Sequence, residues 1–230
     1  MSYQNPFLHF KKREYVLWIT SLIAVTLSYF LAPQASILSW IASLIGVTAL
    51  ILLARGDILG HILILLFSTL YAIVSWKMRY YGEMITYLAM TAPMSICATV
   101  SWLRHPSEKG HTEVSIARLK SGTWCALSVL SVIVTVVFYF ILRTFNTASL
   151  LTSTLSVATS FFAASLTFLR SPYYALGYTA NDVVLIVLWV IASIKEPAYT
   201  PMILCFVTFF ANDIYGFISW RKMERRQHEK

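Results

Sequence analysis

Charged residues are scarce in this sequence. Only 12% of its 230 residues are Asp, Glu, Lys or Arg, 58% are hydrophobic, and the mean hydropathy is +0.68. A soluble globular domain carries about 25% charge, so that class is excluded and a membrane class is indicated. Cysteine is scarce as well. Cys97, Cys125 and Cys205 are odd in number, lack CxxC spacing and sit in apolar runs, so they read as small apolar fillers without disulfide or metal. No HExxH, GxSxG or Walker sequence occurs, and no run pairs a His with an acid. An enzyme is therefore not expected, nor a cofactor.

What is present is a series of long apolar runs. A hydrocarbon core of about 30 Å needs about 20 apolar helical residues, because every backbone polar group must be bonded within its own helix there. Runs at 15–32, 36–54, 58–76, 84–103, 121–142, 144–169, 171–194 and 197–220 meet that description. The fold class expected is an all-α polytopic membrane protein with eight transmembrane helices. The first run could instead be a signal peptide, with Lys11, Lys12 and Arg13 before it and Ala32 and Ala35 after it. Its long polar lead, aromatic content and the immediate second span favour a retained helix.

The formal net charge is +8. Its placement follows topology rather than nucleic-acid binding, which is not expected. With the N-terminus inside, the cytoplasmic side collects Lys11, Lys12, Arg13, Arg55, Arg104, Lys109, Arg118, Lys120, Arg170, Arg221, Lys222, Arg225, Arg226 and Lys230. The outside keeps Lys77, Arg79, Arg143 and Lys195. The positive-inside rule thus places both termini in the cytoplasm, and contact with anionic lipid is the use expected of the tail RKMERRQHEK.

The longest polar interruption, 104–120, divides the chain. At an offset of 118, YGEMITYLAMTAPMSICATVSW from Tyr81 aligns with YTPMILCFVTFFANDIYGFISW from Tyr199, matching Tyr, Met-Ile and a terminal Ser-Trp. At an offset of 115, Arg55 falls on Arg170. The repeat unit is three helices, and one connector helix gives both copies the same orientation. The layout expected is 1–35, an N-terminal tail and additional helix; 36–103, the first repeat; 104–143, a cytoplasmic loop and connector; 144–220, the second repeat; and 221–230, a basic tail. This 1 + (3-1-3) arrangement of parallel repeats is SWEET-like.

The last two runs carry one acid each, within Asn181-Asp182 and Asn212-Asp213. At helical spacing, one stripe reads Tyr178, Asn181, Asp182, Leu185, Trp189 and the other Phe209, Asn212, Asp213, Gly216, Trp220. A carboxylate near the bilayer centre costs at least a few kcal/mol and so faces a bundle interior or wet cavity. Asn suits a carboxamide, Asp accepts from ribose hydroxyls, and Tyr or Trp offers a stacking face. The alternative is that these groups bond across helices as packing glue. Trp102 and Trp220 read as boundary anchors. In the first repeat, Tyr71, Tyr87, Thr91 and Ser95 are the best contributors, His61 reads as a packed neutral side chain, and Pro93 as a kink and hinge. Nine Ser or Thr residues between Ser149 and Thr167 indicate close packing, with lining of the site as the alternative.

NDIYGFISW, from Asn212 to Trp220, resembles the Asn-x-x-Tyr-Gly ending in Trp that closes a repeat in the Pnu-type nicotinamide riboside transporter family. ARGDILG, LLFSTLYAIVSW and YYGEM in the first half resemble the same family in the same order. The resemblance spans about 36–222 and implies a SWEET-like carrier of nicotinamide riboside working by facilitated diffusion in the bacterial inner membrane. It further implies a functional link to a cytoplasmic nucleoside kinase that traps the product as mononucleotide; homo-oligomerisation stays open. The family's substrate helix commonly shows Trp-x-x-x-Asn, whereas Gly177 stands four residues before Asn181 here. Either Tyr178 serves as the aromatic or the substrate differs, riboflavin, thiamine and deoxynucleosides being associated with relatives.

Overall fold

A computed structural model describes residues 6–32, 35–107 and 113–229 of the chain. Lys109, Lys230 and the centre of the 104–120 interruption lie outside the described residues. Eight long helices follow in order among the described residues: α1 (Lys12–Phe30), α2 (Ile37–Leu53), α3 (Leu59–Lys77), α4 (Tyr81–Leu103), α5 (Ser121–Thr144), α6 (Leu150–Phe168), α7 (Tyr174–Lys195) and α8 (Thr200–His228). The helices α3 to α8 are long and apolar enough to cross a membrane. The α2 helix is apolar but has 17 residues, and α1 opens on the charged turn Lys12, Arg13, Glu14. Each apolar run is thus a helix, and membrane-crossing length and composition hold for six of them.

Within the halves, α2 packs on α3, α3 on α4, α6 on α7 and α7 on α8; across them α2 packs on α8 and α4 on α6. The α5 helix packs mainly on α6 and turns Val132, Val136 and Phe140 outward, a face suited to lipid. Small residues set the spacing, as in membrane bundles generally. A Cβ on Gly177 would lie 3.0 Å from the Cα of Ala163, and one on Gly46 would lie 2.3 Å from Cζ of Phe209. The α1 helix is fastened to the bundle by polar bonds: Trp18 Nε1 to Thr48 Oγ1 (3.1 Å), and the buried Glu14 to Arg55 (2.7 Å) and Tyr215 (3.0 Å).

Local geometry recurs between the halves. Trp102 Nε1 donates to the carbonyl of Thr167 (3.0 Å) at the end of α6, and Trp220 Nε1 donates to that of Leu53 (2.8 Å) at the end of α2. Both helices then close alike, with Asp57 N bonded to Leu52 O (3.1 Å) and Ser171 N to Leu166 O (2.9 Å). The residue before each of these has a left-handed backbone, Gly56 at φ 73° and Arg170 at φ 58°, as C-terminal caps require. The register of these turns is therefore 114, one residue from the offset that superposes Arg55 on Arg170.

Two segments differ from the sequence reading. The α4 helix begins at Tyr81 rather than residue 84, which takes Glu83 into the bundle at 0% exposure. It also contains a π-helical turn, Tyr87–Thr91, where Ala92 N bonds to Tyr87 O. Pro93 follows at once. Proline cannot donate to the carbonyl four residues back and its ring crowds that group, so the widened turn absorbs the mismatch. The α8 helix continues through 221–228 because its polar end has partners: Arg221 and Arg118 pair with Glu224, Arg226 with Glu113 (2.5 Å), and Gln227 accepts from Ile116 N (2.9 Å). The basic tail is an extension of α8 buttressing 113–118.

Candidate functional site

The helices α2, α3, α4, α6, α7 and α8 enclose a cavity of about 50 Å³ between the two halves. That is room for a water or two, since a water's share of liquid volume is about 30 Å³. Ligand pockets run to several hundred Å³, so the walls are drawn together in this conformation.

The polar part of the wall comes mainly from the second half. Asn181 Oδ1 accepts from Thr159 (2.8 Å) and Ser160 (2.9 Å). The hydroxyl-rich face of α6 thereby fixes the amide's orientation, and the Nδ2 donors are what Asn181 has left to offer the cavity. Asp182 and Asp213 line the same wall at 3% and 4% exposure, and Asp182 Oδ2 has no hydrogen-bond partner. Among the described residues, neither Lys nor Arg lines the cavity. Tyr178, Tyr87, Phe67 and Phe209 supply ring surface, while Thr91 and Ser95 complete the α4 side. Ser95 donates to His61 O (3.0 Å).

Aromatic layers bound the cavity on both sides. Toward the face that carries both chain ends, Trp102 and Trp220 lie 5.2 Å apart, with His61 edge-on to Trp102 at 4.2 Å and Tyr174 on Trp220 at 4.7 Å. Toward the opposite face, Trp189 Nε1 donates to the Tyr71 hydroxyl (2.9 Å), and Tyr71 lies 4.4 Å from Tyr87. Tyr71, Trp189, Trp102 and Trp220 are all at 0% exposure.

The structure brings Tyr87, Thr91, Ser95, Tyr178, Asn181, Asp182 and Asp213 to the cavity. Tyr71 and Trp189 lie in the adjoining aromatic layer. Asn212 turns away, its Nδ2 donating to Ser21 Oγ of α1 (3.0 Å) and to Thr208 O (2.7 Å). Trp102 and Trp220 are interior rather than boundary anchors, because each indole is held by a helix-end carbonyl of the other half. His61 is on the wall, with Nε2 lacking a hydrogen-bond partner; a lone His on an apolar helix gave no sign of this. Ser160 and Thr167 line the wall too, and the Ser/Thr richness of α6 was their signal. Gly177 explains the missing Trp: α6 and α7 touch there, leaving no room for an indole, and Tyr178 is the neighbouring aromatic. Among the described residues, no cluster of His, Cys, Asp and Glu could hold a metal ion.

Comparisons with known proteins agree with one another. A family model described as "Nicotinamide mononucleotide transporter" matches residues 36–222. The chain is 30% identical to "Nicotinamide riboside transporter PnuC" of Neisseria mucosa, covering 94% of this chain and 86% of that one. It is 25% identical to the protein of the same name in Haemophilus influenzae, over 92% and 91% of the two chains. Among solved structures, "Crystal structure of the Vitamin B3 transporter PnuC" superposes with a TM-score of 0.84 at 25% identity, covering 95% of this chain and 94% of that one. From the family match over most of its length, the chain belongs to the nicotinamide mononucleotide transporter family, as a multi-pass bacterial membrane protein.

Proposed function

We propose that this protein carries nicotinamide riboside across the cytoplasmic membrane by facilitated diffusion, exposing the cavity to each side in turn as α2–α4 rock against α6–α8. The charge of the cavity wall carries this reading. Nicotinamide linked to ribose through its ring nitrogen is a pyridinium cation, and Asp182 with Asp213 offers it acidic surroundings without a competing Lys or Arg. A mononucleotide would bring a phosphate dianion to the same wall. Like unit charges about 4 Å apart repel by about 4 kcal/mol at an effective dielectric of about 20, so the riboside fits and the mononucleotide does not. Asn181 donors suit the carboxamide oxygen, and Tyr178 and Tyr87 supply ring faces. Thr91, Ser95 and Asp213, on the same wall, would take the ribose hydroxyls. Tyr71 and Trp189 would meet the substrate as their layer opens, and Asn212 would hold α8 on α1.

The supporting architecture is a pair of parallel three-helix repeats in a SWEET-like arrangement joined by α5, with α1 added and all eight helices spanning. Both termini would be cytoplasmic, since the face that carries them also holds Arg55, Arg104, Arg118, Lys120 and Arg170. A cytoplasmic nucleoside kinase would trap the product. The test is a thermal-shift titration of the purified protein, because a ligand of the folded state raises apparent stability by mass action. Nicotinamide riboside should stabilise it and nicotinamide mononucleotide should not; no shift with any vitamin or nucleoside would refute the reading.

A second reading, proton-coupled transport, is favoured by the two carboxyl groups on one cavity wall. An imposed pH gradient would then drive accumulation above equilibrium, and equal final concentrations with and without it would exclude coupling.

A further inference from the structure

Among the described residues, Glu83 is a buried acid that lies off the cavity wall and forms no ion pair. Glu83, in the first turn of α4, is at 0% exposure, and neither carboxylate oxygen makes a hydrogen bond of good geometry. Lys77 and Arg79, the cations nearest in sequence, are exposed. Its surroundings are close-packed: a Cβ on the adjacent Gly82 would lie 2.6 Å from Thr147 Cγ2 and 3.1 Å from Ser153 Oγ. Tyr71 and Tyr87 are its electrostatic neighbours, and the Ser156 hydroxyl is a weak hydrogen-bonding contact. Thr147 Oγ1 is likewise buried without a partner.

Position gives this group its meaning. Glu83, Tyr87, Thr91 and Ser95 follow one another at intervals of four along α4, and the last three line the cavity. Residues four apart drift by about 40° per step around an α-helix, but the π-helical turn at Tyr87–Thr91 adds a residue to one turn and brings them back toward one face. Glu83 therefore extends the cavity's polar stripe to the level of the Tyr71 and Trp189 layer, toward the opposite face. Native interiors seldom leave a buried polar group unbonded, and one that is left calls for a ligand or other cause. A glutamine would fill the same space without the charge.

We infer that Glu83 forms a second cation subsite, within the aromatic layer, that receives the positively charged pyridinium ring of the substrate as the layer admits it to the cavity. The carboxylate becomes available when Tyr71, Tyr87 and Trp189 part. The inference rests on the riboside reading above, and it separates attraction of charge from packing, because only the former depends on the substrate's charge.

The test is uptake by the full-length protein in liposomes, comparing nicotinamide riboside with its uncharged dihydronicotinamide riboside as competitor. Glu83→Gln and Glu83→Met, two neutral variants in case one fails to fold, should raise the KM for nicotinamide riboside about tenfold with the maximal rate within about twofold. Glu83→Asp should stay within about threefold of the wild type, and inhibition by the uncharged compound should change by less than about twofold in every variant. An unchanged KM in the neutral variants, a loss in Glu83→Asp equal to theirs, or equal weakening of the charged and uncharged compounds would overturn the subsite. Wild-type liposomes that take up no nicotinamide riboside would instead refute the transport reading, on a control read before any variant is compared.

Discussion

The helices α2–α4 and α6–α8 share a frame and differ in chemistry. Each half carries in its last helix a Trp whose indole is bonded to the end of the other half's first helix, Trp102 to Thr167 and Trp220 to Leu53. Each closes its first helix through a residue of left-handed backbone, Gly56 and Arg170. At matching positions of the repeat, however, Ser95 corresponds to Asp213, Met94 to Asn212, and Phe67 to Asn181. The shared frame suits a motion in which two like bodies rock, whereas the unshared polar groups suit a ligand with distinct ends. On the proposed mechanism, symmetry lies in what moves and asymmetry in what binds.

Six substitutions probe that division. The largest effect is expected from Gly177→Trp, which restores the aromatic common in the family at a point where α6 and α7 touch. Its loss of stability should exceed the ~1–3 kcal/mol usual for overpacking, visible as loss of monodisperse protein on size-exclusion chromatography. Next, Asn181→Ala should weaken riboside binding by about 1–3 kcal/mol in a thermal-shift titration, by leaving the substrate's carboxamide unpaired. Ser95→Ala, on the plainer half, should cost under about 1 kcal/mol; equal effects would erase the asymmetry. Of similar size, Trp102→Phe and Trp220→Phe each remove one indole bond and should each lower stability by about 1 kcal/mol, agreeing within about 0.5 kcal/mol. Unequal losses would mean that the frame is less symmetric than its hydrogen bonds. Pro93→Ala should change affinity least. It restores a donor opposite the Ala89 carbonyl and should stiffen α4, slowing exchange across liposomes at near-normal affinity.

The helices were legible in the sequence because eight apolar runs leave no other way to satisfy their backbones in lipid. The boundaries that moved did so for local reasons. Glu83 looked like a loop residue because an acid ends an apolar run, and only the close packing around Gly82 shows it to be interior. The stripe on α8 paired Asn212 with Asp213, yet α8 is buried on two sides, and periodicity does not distinguish the side facing the cavity from the side facing α1. Trp102 and Trp220 had the spacing of boundary anchors, and a terminal Trp reads the same whether it meets lipid or a partner helix. Lone His61 carried no sequence signal. Asn181, Asp182 and Tyr178 stood out because an amide and an acid halfway along an apolar run cannot face hydrocarbon without cost.

The central claim is that an acidic cavity between two like halves carries a cationic nucleoside and not its phosphate. The most direct measurement is uptake of labelled nicotinamide riboside into liposomes containing the purified protein, with unlabelled riboside or unlabelled nicotinamide mononucleotide as competitor. Saturable uptake, abolished by excess riboside and untouched by the same excess of mononucleotide, is the predicted result. Uptake of labelled mononucleotide, or competition by it equal to that of the riboside, would contradict the claim.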